Sequence, residues 1–309
     1  VPEKFNVISD ENSMGPGARD AIMPFGVLFT GLIINQLYFW TMHQSIIQRA
    51  LGAVNLKEAQ KGLLYTGLLK ILIPVIIVLP GIIAYYFFND TFFDKKELVY
   101  PSLVKKVLPF WMTGFFVAVL MGAILSTFNS ALNSAATIFS LGIYKRYLNK
   151  KAEEKRLVRV GKSTSALLAF FAIGIAPFVA HAPQGLYQLL QQLNGIFFIP
   201  MATVILAGFF LPKVSATAAK VGLFFGLMFY IVTNFIWQVD LHYVHLWGIE
   251  FVLNIGVMLL VSRRFPRTNT FRITDVGVVE LKQWRYAKSF SVLLVVLTLG
   301  IYVLLGNVG

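Results

Sequence analysis

The chain has 309 residues, of which 57% are hydrophobic and only 13% are charged. A soluble domain has about a quarter charged residues, so many apolar side chains of this chain must face something other than water. The net charge of +13 lies in polar segments beside apolar runs, which favours a membrane protein over a nucleic-acid-binding one. The sequence has no cysteine, which excludes disulfides, thiolate nucleophiles and cysteine-bound zinc.

The apolar runs predict an all-α polytopic membrane protein. Each run has about the 20 residues that a helix needs to cross the hydrocarbon core, and none alternates like the strand of a barrel. The polar segment 1–21 begins with Val and contains Pro2, Gly15, Pro16 and Gly17, so we expect an extracellular connection preceded by further helices. The predicted spans are 22–44, 62–87, 110–143, 160–181, 185–211, 216–237, 244–262 and 289–307.

The basic residues of the connecting segments predict the orientation of the chain. Alternate connections, beginning with 45–61, carry 20 lysines and arginines, whereas the opposite side carries 6. Basic connections stay in the cytoplasm. We therefore expect a multi-pass protein of the plasma (inner) membrane with both ends of this chain outside.

Polar residues inside the first span form a candidate binding face. Gln36, Trp40 and His43 are spaced i, i+4 and i+7, which places them on one side of a helix. A mid-membrane amide beside an indole can hydrogen-bond a polar ligand and stack on its apolar face. The alternative is an interhelical hydrogen bond beside an interfacial aromatic residue.

Lys70 lies about eight residues inside the second predicted span. Its ammonium could donate hydrogen bonds to ligand hydroxyls or to a neighbouring helix. Its long stem could equally reach the membrane interface. Position alone does not separate these two interpretations.

A polar stripe follows the third predicted span. Ser126, Ser130, Asn133 and Thr137 recur at helical spacing, with Thr127 beside the first of them. Hydroxyl and carbonyl oxygens are the ligands that hard cations prefer. The alternative is a face of small residues that lets two helices approach closely.

The fifth predicted span begins with several amides. Gln191, Gln192 and Asn194 precede Gly195, and Pro200 follows, which suggests a helix that bends around a cavity. The alternative is a polar helix end near the outer surface.

The remaining sequence offers no enzymatic chemistry. Glu250 is the only acidic residue within a predicted span, and the four histidines lack metal-site spacing. There is also no glycine-rich phosphate loop. We therefore expect a protein that is not an enzyme.

Three stretches resemble the sodium/solute symporter family, and within it the sodium/sugar cotransporters. They are LYFWTMHQSIIQRALGAVNLKEAQKG, LLKILIPVIIVLPGIIAY and GAILSTFNSALNSAATIFSLGIYKRY. The resemblance implies an inverted-repeat fold of five helices followed by five more, with binding sites at broken helices. Residues 22–211 would form the second repeat, and 212–309 would add three peripheral helices.

The resemblance also implies roles for individual residues. Sodium would bind the Ala123 carbonyl and the hydroxyls of Ser126 and Thr127. The remaining sodium ligands would come from a helix that this chain lacks.

The family's sugar site would use Gln36, Lys70 and Gln191, with Phe39 closing its inner side and Trp40 next to Phe39. A characterised bacterial sugar transporter of the family has asparagine where Gln36 stands and tyrosine where Phe39 stands. These two departures concern the solute and leave the sodium residues unchanged.

We therefore expect a sodium-coupled symporter that imports a small polar solute, foremost a monosaccharide such as glucose or galactose. Its partners would be sodium, the solute, the lipid bilayer and N-terminal helices of the same protein, with no nucleic acid. Other solutes remain open, namely sialic acid, a polyol, a vitamin or an amino acid. A membrane sensor built on the transporter fold is a further alternative.

Overall fold

A computed structural model describes residues 25–88, 98–179, 186–267, 277 and 280–306, and these are helical with no strand among them. The predicted all-α class is confirmed. The predicted connection 1–21 lies outside the described residues. The helices are α1 Gly31–Thr41, α2 Gln44–Leu51, α3 Leu56–Ile71, α4 Leu79–Phe88, α5 Val99–Val107, α6 Phe110–Thr137, α7 Glu154–Val179, α8 Leu186–Phe210, α9 Ala216–Tyr230, α10 Tyr243–Arg264 and α11 Ala287–Gly306.

Several of these helices continue through π-helical turns. Such turns join α3 to α4 at Pro74–Val78, extend α6 over Ile138–Leu148 and extend α9 over Ile231–Ile236. Within the described residues, six helical segments are long and apolar enough to cross a membrane. They are Leu56–Ala84, Phe110–Leu148, Glu154–Phe178, Tyr187–Phe210, Ala216–Ile236 and Tyr243–Arg264.

The first predicted span differs from a continuous helix. Its described part begins with a 3-10 turn at Phe25–Phe29, and helix α1 then adds 11 residues, or about 16 Å of a hydrocarbon core of about 30 Å. Helix α1 ends at Thr41, and the extended backbone of His43 (φ −70°, ψ 124°) separates it from α2. The prediction of one unbroken helix over 22–44 was therefore wrong within its described part.

The described residues fall into two compact units, and we describe each by itself. The first unit contains the chain up to Ile71 and from Tyr187 onward. Its core joins Val27, Ile199, Tyr230, Val244 and Trp247, all of them fully buried. Glycines permit the close approach: Gly31 contacts Val244 and Trp247 of α10, and Gly195 of α8 contacts the Trp247 indole.

The second unit runs from Leu72 to Leu186. In this unit α6 and its π-helical extension lie against α7. The buried residues on that face are small, namely Ser134, Ala136 and Ser140, and a Cβ atom at Gly161 of α7 would lie 3.9 Å from Ala136 and 4.0 Å from Ser140. Close packing by small residues therefore occurs here about two to four turns beyond Ser126, at positions outside the polar stripe. The division into a repeat and peripheral helices at 211/212 stays a prediction.

Candidate solute and sodium sites

The break after α1 places the first group of predicted binding residues at the end of a helix. Gln36, Phe39 and Trp40 occupy the last two turns of α1. The chain then turns at Met42, and His43 starts α2 with its ring Nδ1 2.7 Å from the Ser45 hydroxyl. A helix end in a membrane protein leaves backbone carbonyls and side chains available for a ligand.

Gln36, Trp40 and Lys70 are in direct contact. The Trp40 indole N–H donates a hydrogen bond of 2.9 Å to the Gln36 side-chain oxygen. The Lys70 ammonium nitrogen, from α3, lies 3.3 Å from the centre of the Trp40 ring. A cation over an indole ring contributes about 0.5–2 kcal/mol, with the larger values in dry surroundings. The structure thus brings an amide, an indole and an ammonium group to one place.

Phe39 belongs to an aromatic cluster beside this group. Its ring meets the Trp40 ring edge to face at 5.1 Å and stacks on the His43 ring at 5.6 Å. Phe198 of α8 joins the cluster, 5.3 Å from the His43 ring and 4.7 Å from the Tyr38 ring. Sequence reasoning did not single out Phe198, although the run IFFIP directly follows the amides of α8.

Gln191 lies on α8, whereas the other predicted solute residues lie on α1 and α3. Among the described residues it shares no hydrogen bond or ring contact with Gln36, Trp40 or Lys70. Its neighbour Gln192 is buried, whereas Gln191 is half-buried. Helix α8 also runs unbroken from Leu186 to Phe210 through Pro200, and Gly195 serves the contact with Trp247.

The three predicted sodium residues lie together in the second unit. The Ser126 hydroxyl donates a hydrogen bond of 2.9 Å to the Ala123 carbonyl, and the Thr127 hydroxyl donates one of 3.0 Å to the same oxygen. All three residues are exposed on α6. Three oxygens of the type that hard cations bind are therefore grouped within one helical turn. They form only part of a coordination shell, so an ion needs oxygens from elsewhere.

A second polar group is buried in the first unit, and sequence reasoning gave it no role. Glu250 and Asn254 are fully buried on one face of α10, spaced i and i+4. Among the described residues neither carboxyl oxygen of Glu250 has a hydrogen-bond partner, and the same holds for the Asn254 amide. Both side chains approach Gly226 of α9. The spacing of a lone acid and an asparagine within a span was the signal available in the sequence.

Comparison with known proteins gives consistent matches. The family model for the sodium:solute symporter family matches residues 12–226. Over 99% of its length the chain is 42% identical to the uncharacterized symporter YidK of Escherichia coli strain K12, of which it covers 53%.

Two further relatives have named solutes. The sodium/glucose cotransporter of Vibrio parahaemolyticus is 33% identical over 76% of the chain and 45% of that protein. The sodium/myo-inositol cotransporter 2 of Homo sapiens is 33% identical over 66% of the chain and 32% of that protein. The chain thus spans about half, or less, of the length of the curated relatives it matches.

Proposed function

Because the chain belongs to the sodium:solute symporter family, we propose that it carries solute-binding and sodium-binding residues of a sodium-coupled importer. The family consists of transporters rather than enzymes. The described helices make the chain an integral, multi-pass membrane protein. The excess of basic residues in alternate connections supports a location in the plasma (inner) membrane with both ends of this chain outside.

Sodium is the proposed driving ion, and it is a substrate of the transport cycle. The grouping of the Ala123 carbonyl with the Ser126 and Thr127 hydroxyls supports this assignment. Each hydroxyl keeps lone pairs while it donates to the carbonyl, so both can face a cation. The missing ligands would come from N-terminal helices of the same protein.

A monosaccharide such as glucose or galactose is the first proposed solute. The observation that carries this proposal is the contact of Lys70 and Gln36 with Trp40. The indole supplies an apolar face for the C–H side of a sugar ring, and the ammonium and amide supply hydrogen bonds to its hydroxyls. The names of the glucose and myo-inositol cotransporters among the relatives support a polyhydroxylated solute.

The proposed mechanism is alternating access. Sodium binds from outside and stabilises an outward-open state, and the solute then joins it before the site opens inward. An ion drives this cycle only to the extent that it binds the two states differently. The membrane potential adds about 2.3 kcal/mol per charge for each 100 mV, which suffices to concentrate a neutral solute.

An anionic solute such as sialic acid is the second candidate. Lys70 is half-buried, and among the described residues it has no carboxylate partner. An ammonium group without a counter-ion is well suited to hold a carboxylate. This observation favours a solute with a carboxylate, such as an acidic sugar, over a neutral polyol.

The test is uptake into proteoliposomes by the protein expressed from its complete reading frame. Labelled glucose, galactose, myo-inositol and sialic acid would each be offered with external sodium and with external potassium. Sodium-dependent uptake of a neutral sugar supports the first candidate, and uptake confined to sialic acid supports the second. Folded protein that moves none of the four with sodium would refute both.

A further inference from the structure

A groove of about 1050 Å³ lies in the second unit where the π-helical extension of α6 meets the start of α7. We name it the Arg159 groove. Phe139 and Tyr144 line it from the extension of α6, and α7 lines it from Lys155 to Leu168. Its lining includes none of the residues assigned above to sodium or solute.

One end of the Arg159 groove is positively charged. Lys155, Arg156 and Arg159 line this end, opposed by a single acidic residue, Glu153. All three basic side chains are exposed, and none has an ion-pair partner within the part of the chain that the structure describes. The groove therefore offers unpaired cationic groups to a ligand.

The other end of the groove is apolar. Leu167 and Leu168 line it eight and nine residues beyond Arg159, which is about 12 Å further along the helix. The Leu167 side chain is 71% exposed. Because α7 enters the membrane in this direction, the groove changes from cationic to apolar over the depth at which a phospholipid changes from headgroup to acyl chain.

We propose that the Arg159 groove binds an anionic phospholipid, with its phosphate among Lys155, Arg156 and Arg159 and an acyl chain along Leu167 and Leu168. Basic pockets between membrane helices on the cytoplasmic side bind anionic headgroups through this chemistry. The segment 144–162 is also the most basic connection of the chain, with eight lysines and arginines. This concentration of charge fits the leaflet in which anionic lipids face the cytoplasm.

The charge pattern favours this occupant over others. A free phosphate would use the arginines but not the apolar end, and a zwitterionic lipid would return a positive charge to the cationic end. Arginine binds phosphate oxygens through two parallel hydrogen bonds, which favours a phosphate diester headgroup.

The first test measures lipid binding by native mass spectrometry on the protein expressed from its complete reading frame. Phosphatidylglycerol and phosphatidylethanolamine would be titrated against wild type and the double variant Arg156→Gln/Arg159→Gln. Each basic residue near the headgroup is worth about fivefold in binding, so we expect roughly 30-fold weaker phosphatidylglycerol binding in the variant. Phosphatidylethanolamine binding should fall by a smaller factor, because its ammonium group cancels the charge of its phosphate diester.

The matched control is Lys150→Gln/Lys151→Gln. It removes two charges from the same connection but outside the groove. If this control lost as much phosphatidylglycerol binding as the groove variant, the loss would reflect general attraction between basic residues and the anionic lipid. That result would overturn the proposal. Unchanged binding in the groove variant, or displacement of the lipid by millimolar inorganic phosphate, would overturn it as well.

A second test identifies the occupant without altering the charges. A photoreactive benzophenone amino acid would replace Leu167, and membranes containing the protein would be irradiated. We expect an adduct with the mass of a phospholipid. An adduct with another segment of the same protein, or with a second copy, would show that protein covers the groove and would refute lipid binding there.

Discussion

The ammonium nitrogen of Lys70 lies 3.3 Å from the centre of the Trp40 ring, although thirty residues and a helix break separate the two. The indole in turn donates to Gln36. Lys70 thus lies on one face of the indole and keeps its charge near the amide. Gln36, Trp40 and Lys70 therefore form one contact group, in which a change at Lys70 also alters the surroundings of the Trp40 ring.

Replacement of Lys70 by methionine tests this group. The variant keeps the length of the side chain and removes its charge and hydrogen-bond donors, so we expect at least a tenfold rise in the KM for sodium-driven uptake of the solute. The measurement is initial uptake into proteoliposomes at saturating sodium. Lys57→Met, an exposed change near the start of the same helix, should leave the KM within twofold. A normal KM for Lys70→Met would remove Lys70 from the solute site.

The sodium assignment predicts a different response. Ser126→Ala and Thr127→Ala each remove one proposed ligand, so the sodium concentration for half-maximal uptake should rise about tenfold while the solute specificity stays the same. Thr113→Ala is the matched control, because Thr113 also bonds the carbonyl four residues earlier on the exposed surface of α6. Thr127→Ser should restore wild-type sodium dependence. Equal effects of the Thr113 and Thr127 variants would indicate a helix defect instead of a lost ligand.

Local patterns in the sequence predicted more than long-range ones. The Gln36–Trp40 contact follows from i, i+4 spacing, and the hydroxyls of Ser126 and Thr127 reach Ala123 because α6 is a regular helix. The contact of Lys70 with Trp40 joins separate helices, and only the family resemblance had grouped these two residues. The spacing of residues along one helix does not predict contacts between residues of different helices.

The break of the first span was missed for a physical reason. The run YFWTMHQS contains neither glycine nor proline, so hydropathy continues through the point where α1 ends. The aromatic cluster of Phe39, His43 and Phe198 supports the turn through tertiary contacts. Such contacts override local helix propensity and are not visible in one stretch of sequence.

Gly226 of α9 lies against both members of the buried polar group. A Cβ atom there would lie 2.8 Å from the Asn254 amide nitrogen, 2.9 Å from a Glu250 oxygen and 2.9 Å from the Pro200 ring. Gly226→Ala should therefore destabilise the protein by about 1–3 kcal/mol, seen as a lower unfolding temperature in detergent. Gly256→Ala on α10 is the control, because nothing lies within 4 Å of its Cβ position. Alanine has a higher helix propensity than glycine, so the unfolding temperature of the control variant should equal or exceed that of wild type.

Glu250 allows the sharpest stability test in the first unit. Its carboxyl oxygens are buried without hydrogen-bond partners among the described residues, and the Asn254 side-chain oxygen on the same helix face has none either. Glu250→Gln keeps the shape of the side chain, removes an acid and adds an N–H donor that can pair with Asn254. A buried carboxylate without partners is costly, so this variant should unfold at the same temperature as wild type or a higher one.

Glu250→Ala separates the role of the carboxyl from that of packing. It also removes the acid but leaves a cavity beside Gly226, and we expect it to destabilise by about 2–4 kcal/mol. If the glutamine variant instead unfolded as early as the alanine variant, the carboxyl would hold an interaction that an amide cannot replace. Glu250 would then be a binding group in its own right, since shape and volume are the same in glutamate and glutamine. The two unfolding temperatures therefore decide whether this buried acid serves packing alone or holds a further interaction.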